Sequence, residues 1–173
     1  ADANDLRPLG VSLARQHGAL EVKALDAPQL HPQPPGRQWY PLFPGEWAAV
    51  PGAVQQLEQR LTQLVSPQAP LEHTVLFGFS QGGAMALHCG CNLPLAGVIS
   101  CSGYPHPDWQ PPHHHPPVLL LHGTEDQVVP VTAMESVWDR LEGDRRQRFT
   151  FQDGHTIPHA AMQPMQNFLS RVL

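Results

Sequence analysis

Positive charge is scarce in this chain. Lys and Arg number 10 against 15 Asp and Glu, and the formal net charge is −5 over 173 residues. Beyond Arg145-Arg146 and Arg148 there is no basic cluster. That balance gives no electrostatic footprint for nucleic acid or an anionic membrane surface. Long apolar runs are missing as well. Val118 to Leu121 is the longest towards the C-terminal half, far short of the roughly 20 residues of a membrane span. Cysteine is limited to Cys89, Cys91 and Cys101, an odd and low count. It excludes a disulfide scaffold and fits free thiols in a reducing, cytoplasmic setting. No signal peptide is read at the N-terminus, because Ala1 opens directly into a polar stretch. Internal repeats are absent too.

What the chain does have is apolar residues at 41%, enough for one soluble domain over residues 1–173 with a core of its own. It also has 20 prolines. Many of them crowd into Pro28 to Pro51 and Pro105 to Pro117. Both stretches read as long loops, which are uncommon in compact domains and often functional.

Between the loops, elements alternate. Asn4 to His17 reads as a helix with an Asn or Asp cap, with Pro8 tolerable only in its first turn. Leu20 to Leu25 alternates like a strand. Pro51 opens a helix to about Val65, with Val54, Leu57, Leu61 and Leu64 on one side. A strand over 74–79, a helix over 81–91 and a strand over 95–101 follow. After the second loop come a strand over 118–122, a helix over 131–141, a strand over 148–152 and a closing helix over 158–173. Strands separated by helices imply right-handed crossovers, so a mostly parallel sheet with helices on both faces. Ligands of such sheets bind beyond the carboxyl ends of the strands.

Gly78-Phe79-Ser80-Gln81-Gly82 sits at such an end, between a predicted strand and a predicted helix. In that context G-x-S-x-G denotes a nucleophile elbow. Gly78 and Gly82 are expected to let strand and helix pack closely around a strained turn. The first amides of the helix favour negative charge near Ser80, and the Gln81 N–H is the expected oxyanion donor. A serine hydroxyl is a weak nucleophile that needs a base, and the base needs an orienting acid. Asp126 follows a strand and precedes a helix, so its carboxylate can face the same rim; Glu125 is the competitor, and a helix-capping role for Asp126 the plain alternative. His155, between the last strand and the last helix, is the expected base. His122 and His159 read as structural. The order Ser80, Asp126, His155 is that of α/β-hydrolases.

The chain resembles the phospholipase/carboxylesterase family of α/β-hydrolases, which includes acyl-protein thioesterases. The residues that carry the likeness are Gly78-Phe-Ser-Gln-Gly-Gly83, His122-Gly-Thr-Glu-Asp126-Gln-Val-Val-Pro130 and Gly154-His155. Ser102-Gly103-Tyr104, Asp26-Ala27-Pro28 and Gly36 to Tyr40 also match family segments. The resemblance implies cleavage of carboxylic esters or thioesters through an acyl-enzyme, with no metal or other cofactor. Family members carry, ahead of the first helix, a strand ending in His-Gly-x-Gly whose loop supplies a second oxyanion donor. Here the chain begins just after the corresponding point. The expectation is therefore an α/β-hydrolase sheet without its N-terminal strand: an N-terminally incomplete chain, or else a shortened, impaired member that binds acyl chains or small molecules without cleaving them.

Trp39, with family support, is expected to form an acyl-binding wall, and Trp109 is a second substrate-binding candidate. Tyr40, Phe43 and Trp47 fit either that wall or a local cap on the sheet edge. The Pro-flanked run His113-His114-His115 could offer imidazoles to a metal, but without an accompanying carboxylate or cysteine pattern it reads as a solvated loop. The expected partner is a small ester or thioester, with no nucleic acid and no stable membrane insertion. The sequence leaves a homodimer open.

Overall fold

A computed structural model of the protein describes residues 2–18, 20–42 and 44–173. These group into two compact units, residues 1–53 and 54–173.

The first unit begins with α1 (Ala3–Ala14). Asp2 caps it, accepting from the Asn4 amide at 2.7 Å, while the Asp5 carboxylate accepts from the Asp2 amide at 2.8 Å. This reciprocal pairing satisfies amides that the helix cannot bond internally. Pro8 falls in the second turn rather than the first, so the helix carries a missing amide there. Leu20 to Leu25 does not form the expected strand. Exposure does alternate along 21–24, but among the described residues no neighbouring strand pairs with the segment, and a strand exists only through its ladder. The Pro-rich stretch instead contains a small antiparallel pair, β1 (Gln29–Leu30) and β2 (Arg37–Gln38). The Arg37 guanidinium ties it down by donating to the carbonyls of Ala27 and Pro28 at 2.8 and 2.9 Å. Helix α2 (Val50–Leu64), whose residues from Val54 onward belong to the second unit, starts one residue before Pro51; the proline's missing N–H costs nothing there. Its Leu57 and Leu61 are buried, whereas Leu64 is exposed.

The second unit is built on four parallel strands. β3 (Val75–Phe79) leads into α3 (Gln81–Gly90), which returns to β4 (Gly97–Cys101). β5 (Val118–Gly123), α4 (Thr132–Trp138) and β6 (Arg146–Phe151) follow, and α5 (Met162–Val172) closes the chain. The sheet order is β3-β4-β5-β6, with Phe79 opposite Cys101, Cys101 opposite Leu121 and Gly123 opposite Phe151. β4 and β5 are buried along their whole length, the pattern of a sheet covered on both faces.

Successive residues of a strand face opposite sides, and β4 uses both. Gly97 approaches Phe168 of α5, while Val98 approaches Gly90 of α3. Helices α3 and α5 therefore cover opposite faces. Val98, Val118 and Leu120 join Leu87 of α3 and Met134 and Val137 of α4 in the main core cluster. The connection from β4 to β5 contains no helix. Its loop plugs the core directly with Trp109, which is 3% exposed and belongs to that same cluster. The loop is pinned at its start by a 2.8 Å contact between the Nδ1 atoms of His88, on α3, and His106, and further on by Arg140, which donates to the Trp109 carbonyl at 2.8 Å. The His run is not wholly solvated, as its composition suggested. His113 and His114 are exposed, but His115 is buried, accepting the Glu142 amide at Nε2 (3.0 Å) and donating from Nδ1 to the Pro116 carbonyl (2.7 Å). Among the described residues no helix is long and apolar enough to cross a membrane, and no three His, Cys, Asp or Glu side chains converge on a metal position.

Candidate active site

Ser80 follows β3 immediately and caps α3 with φ 55° and ψ −121°. For a residue other than glycine that backbone is strained. It persists because the turn is over-determined: the Ser80 amide donates to Cys101 O at 2.9 Å and the Ala84 amide to Ser80 O at 3.1 Å. Gly78 is required by close approach, since a Cβ there would lie 1.9 Å from the Gly82 carbonyl oxygen. Gly82 has no matching constraint, because its own Cβ would meet nothing within 4 Å. Only one of the two elbow glycines is thus demanded sterically by the described residues.

His155 comes from the loop after β6, three strands from β3 and so about 14 Å away at strand spacing. The loop reaches back across the strand ends. Over β5 it passes so close to Gly123 that a Cβ there would sit 2.4 Å from the carbonyl oxygens of Asp153 and Gly154. Over β4, the Cys101 thiol lies 4.0 Å from the Thr156 carbonyl. At β3, His155 Nε2 is 2.9 Å from Ser80 Oγ. Its Nδ1 is 2.7 Å from Asp126 Oδ2, so the Nδ1 proton is donated to the carboxylate and Nε2 is left to accept from the serine. The Phe79 ring lies against the imidazole, with centroids 4.8 Å apart and planes at 38°.

Asp126 sits in the loop after β5, 7% exposed. Its Oδ1 accepts the amides of Val128 and Val129 at 2.9 and 2.8 Å, an Asx-type turn that orients the carboxylate. Burial pushes the carboxyl pKa up. Hydrogen bonds from His155 and from the Val129 and Val128 amides outweigh it, and the group titrates below its ordinary value. His122 lies nearby, its Nε2 3.7 Å from Asp126 Oδ2, but donates to the Val129 carbonyl at 2.8 Å. Glu125 is exposed and turned out of this arrangement, its amide bonded to Asp153 O at 3.0 Å.

The structure therefore brings together Ser80, Asp126 and His155. Gln81 opens α3 directly after Ser80, at the positive end of the helix dipole. Trp109 packs into the core: lacking a crossover helix, the β4–β5 loop turns this side chain into the main cluster, where it is 3% exposed. Trp39 and Tyr40 are buried residues of the first unit, where the Tyr40 and Trp47 rings lie 6.0 Å apart. Phe43 lies outside the described residues. Cys89, Cys91 and Cys101 are free and buried, and burial pushes each thiol up to about 12, so none competes as a nucleophile. Sequence reasoning passed over Gly123, although a glycine closing a strand beside a functional loop is a sign of close backbone approach.

The profile of the family described as phospholipase/carboxylesterase matches residues 26–173. The chain belongs to the phospholipase/carboxylesterase family. Among solved structures, esterase PE8 is 30% identical, with a TM-score of 0.90 over 100% of this chain and 88% of that one. A carboxylesterase from Mesorhizobium loti, 17% identical, shares the fold at a TM-score of 0.78 over 98% of this chain and 83% of that one. An acyl-protein thioesterase 1 of Yarrowia lipolytica is 35% identical over 85 residues, 44% of this chain and 37% of that protein. An acyl-protein thioesterase 1 homolog of Dictyostelium discoideum is 30% identical over 98 residues, 53% of this chain and 44% of that protein. The chain thus spans less than half the length of these curated relatives.

Proposed function

We propose that the protein is a serine hydrolase of carboxylic esters or thioesters, working through an acyl-enzyme. The observation that carries this reading is the hydrogen-bonded series Ser80 Oγ, His155 Nε2, His155 Nδ1 and Asp126 Oδ2, with spacings of 2.9 and 2.7 Å. Membership of the family and the likeness to an esterase and to thioesterases support it.

In this reading His155 Nε2 takes the Ser80 proton as Oγ attacks the acyl carbonyl carbon. Asp126, held ionised by its hydrogen bonds, fixes the tautomer and stabilises the imidazolium. The Gln81 N–H donates to the oxyanion at the head of α3. As the tetrahedral species collapses, His155 returns its proton to the departing alcohol or thiol, leaving Ser80 acylated. Water, deprotonated by His155, then attacks the acyl-enzyme; as the acyl–Oγ bond breaks, His155 returns that proton to Ser80 Oγ and the acid leaves. A fluorophosphonate probe is expected to label the protein at Ser80, and Ser80→Ala to abolish labelling and turnover of p-nitrophenyl esters together. Labelling that persists in Ser80→Ala would overturn the assignment.

A further inference from the structure

The His155 imidazole stands at the far end of a loop that crosses two strand ends before reaching Ser80. A hydrogen bond at Nδ1 fixes one atom of a ring, but leaves the ring free to swing about the Nδ1···Oδ2 axis. The Nε2 position relative to Ser80 depends on that swing. Phe79, the last residue of β3, lays its ring against the imidazole at 4.8 Å and 38°. Phe79 and Ser80 are adjacent in the chain, so the surface that meets the imidazole is carried by the same strained turn that aims the nucleophile.

We propose that Phe79 is a positioning residue for His155, its ring setting the plane of the imidazole over Ser80. This rests on the reading of His155 as the base of the reaction, and it assigns the first variable position of the elbow a task of its own. The tilted ring pair supplies contact across the face of the imidazole, where no hydrogen bond can act. When His155 becomes a cation in the transition state, the aromatic face attracts it more strongly than it attracts the neutral ring. The interaction therefore favours the transition state over the ground state and belongs in kcat.

The test uses Phe79→Leu, which keeps apolar volume but removes the ring, and Phe79→Tyr, which restores the ring. Thermal unfolding of each variant checks that the fold is intact. Phe79→Leu is expected to lower kcat for a p-nitrophenyl ester about five- to tenfold with KM unchanged, the scale of one lost aromatic contact, and Phe79→Tyr to recover it. A second readout needs no substrate. The proton held between His155 Nδ1 and Asp126 should give a far-downfield NMR resonance, which broadens or moves in Phe79→Leu and returns in Phe79→Tyr. An unchanged resonance with unchanged kcat in Phe79→Leu overturns the inference. So does a raised KM at constant kcat, which would make Phe79 a substrate wall. Because the resonance is read without turnover, a failure of Ser80 labelling would sink the hydrolase reading and leave the positioning of His155 by Phe79 still measurable.

Discussion

Asp126 shows how much a single carboxylate can be asked to hold. One oxygen is occupied by the Val128 and Val129 amides and the other by His155, so the group cannot rotate without breaking three hydrogen bonds. The Asp126→Asn variant keeps the shape but offers an amide NH2 or a neutral carbonyl where the imidazole needs an anion. If Oδ2 becomes the NH2 donor, His155 must turn its Nδ1 into an acceptor and protonate Nε2, which can then no longer take the Ser80 proton. Turnover of p-nitrophenyl esters in Asp126→Asn is expected to fall by on the order of 10³–10⁴, with KM within a few-fold of the parent. A loss below tenfold would show that His155 keeps its working tautomer without the carboxylate.

Elements succeed or fail here at their ends. The elbow between β3 and α3 demands a glycine at 78, where a Cβ would lie 1.9 Å from the Gly82 carbonyl oxygen, and not at 82, where it would meet nothing. Gly78→Ala should therefore destabilise the fold by more than about 3 kcal/mol, as an overpacked backbone contact does. Gly82→Ala, in the first turn of a helix, should leave stability unchanged or raise it by up to about 1 kcal/mol. Denaturant midpoints of the two variants check the contrast. The same two glycines look alike in the sequence, because a motif records spacing and not which Cβ would strike what. Most of the sheet was legible: β3, β4, β5 and β6 fall within two residues of the strands expected from apolar runs and flanking turns. So were Ser80, Asp126 and His155 as residues of one strand-end rim, since parallel topology puts those ends together. Other features depend on long-range neighbours that periodicity cannot see. Leu20 to Leu25 alternates correctly but has no ladder partner among the described residues. Trp109 and His115 sit among prolines that suggest exposure, yet Trp109 joins the main core cluster and His115 is buried with its ring nitrogens bonded.

At the scale of the molecule, that helix-free crossing has a thermodynamic cost at acid pH. His106 is 2% exposed, and burial first, then the nearby His88, lowers its pKa to about 4 from an ordinary 6.5. Burial lowers that of His88 as well. The folded state keeps His106 neutral while the unfolded chain takes up a proton, so stability falls as the pH drops from about 6.5 towards 4. The full loss is roughly 3 kcal/mol for His106. Asp126 acts in a lower range: its depressed pKa contributes stability above the ordinary carboxylate value of about 4, and that contribution goes only as the pH falls further. Urea midpoints measured between pH 7 and pH 4.5 should decline in the parent, and His106→Phe, which cannot bind the proton, should flatten the decline. An equal slope in both would place the sensitivity elsewhere. The reach of His155 across the sheet has a consequence in time as well as in space. Ser80 and its strained turn follow β3, whereas the imidazole arrives from the loop after β6. During synthesis Ser80 is made long before His155, and β5 and β6 must both be in register before the two can meet. Until then Ser80 stands without the imidazole it meets in the finished fold.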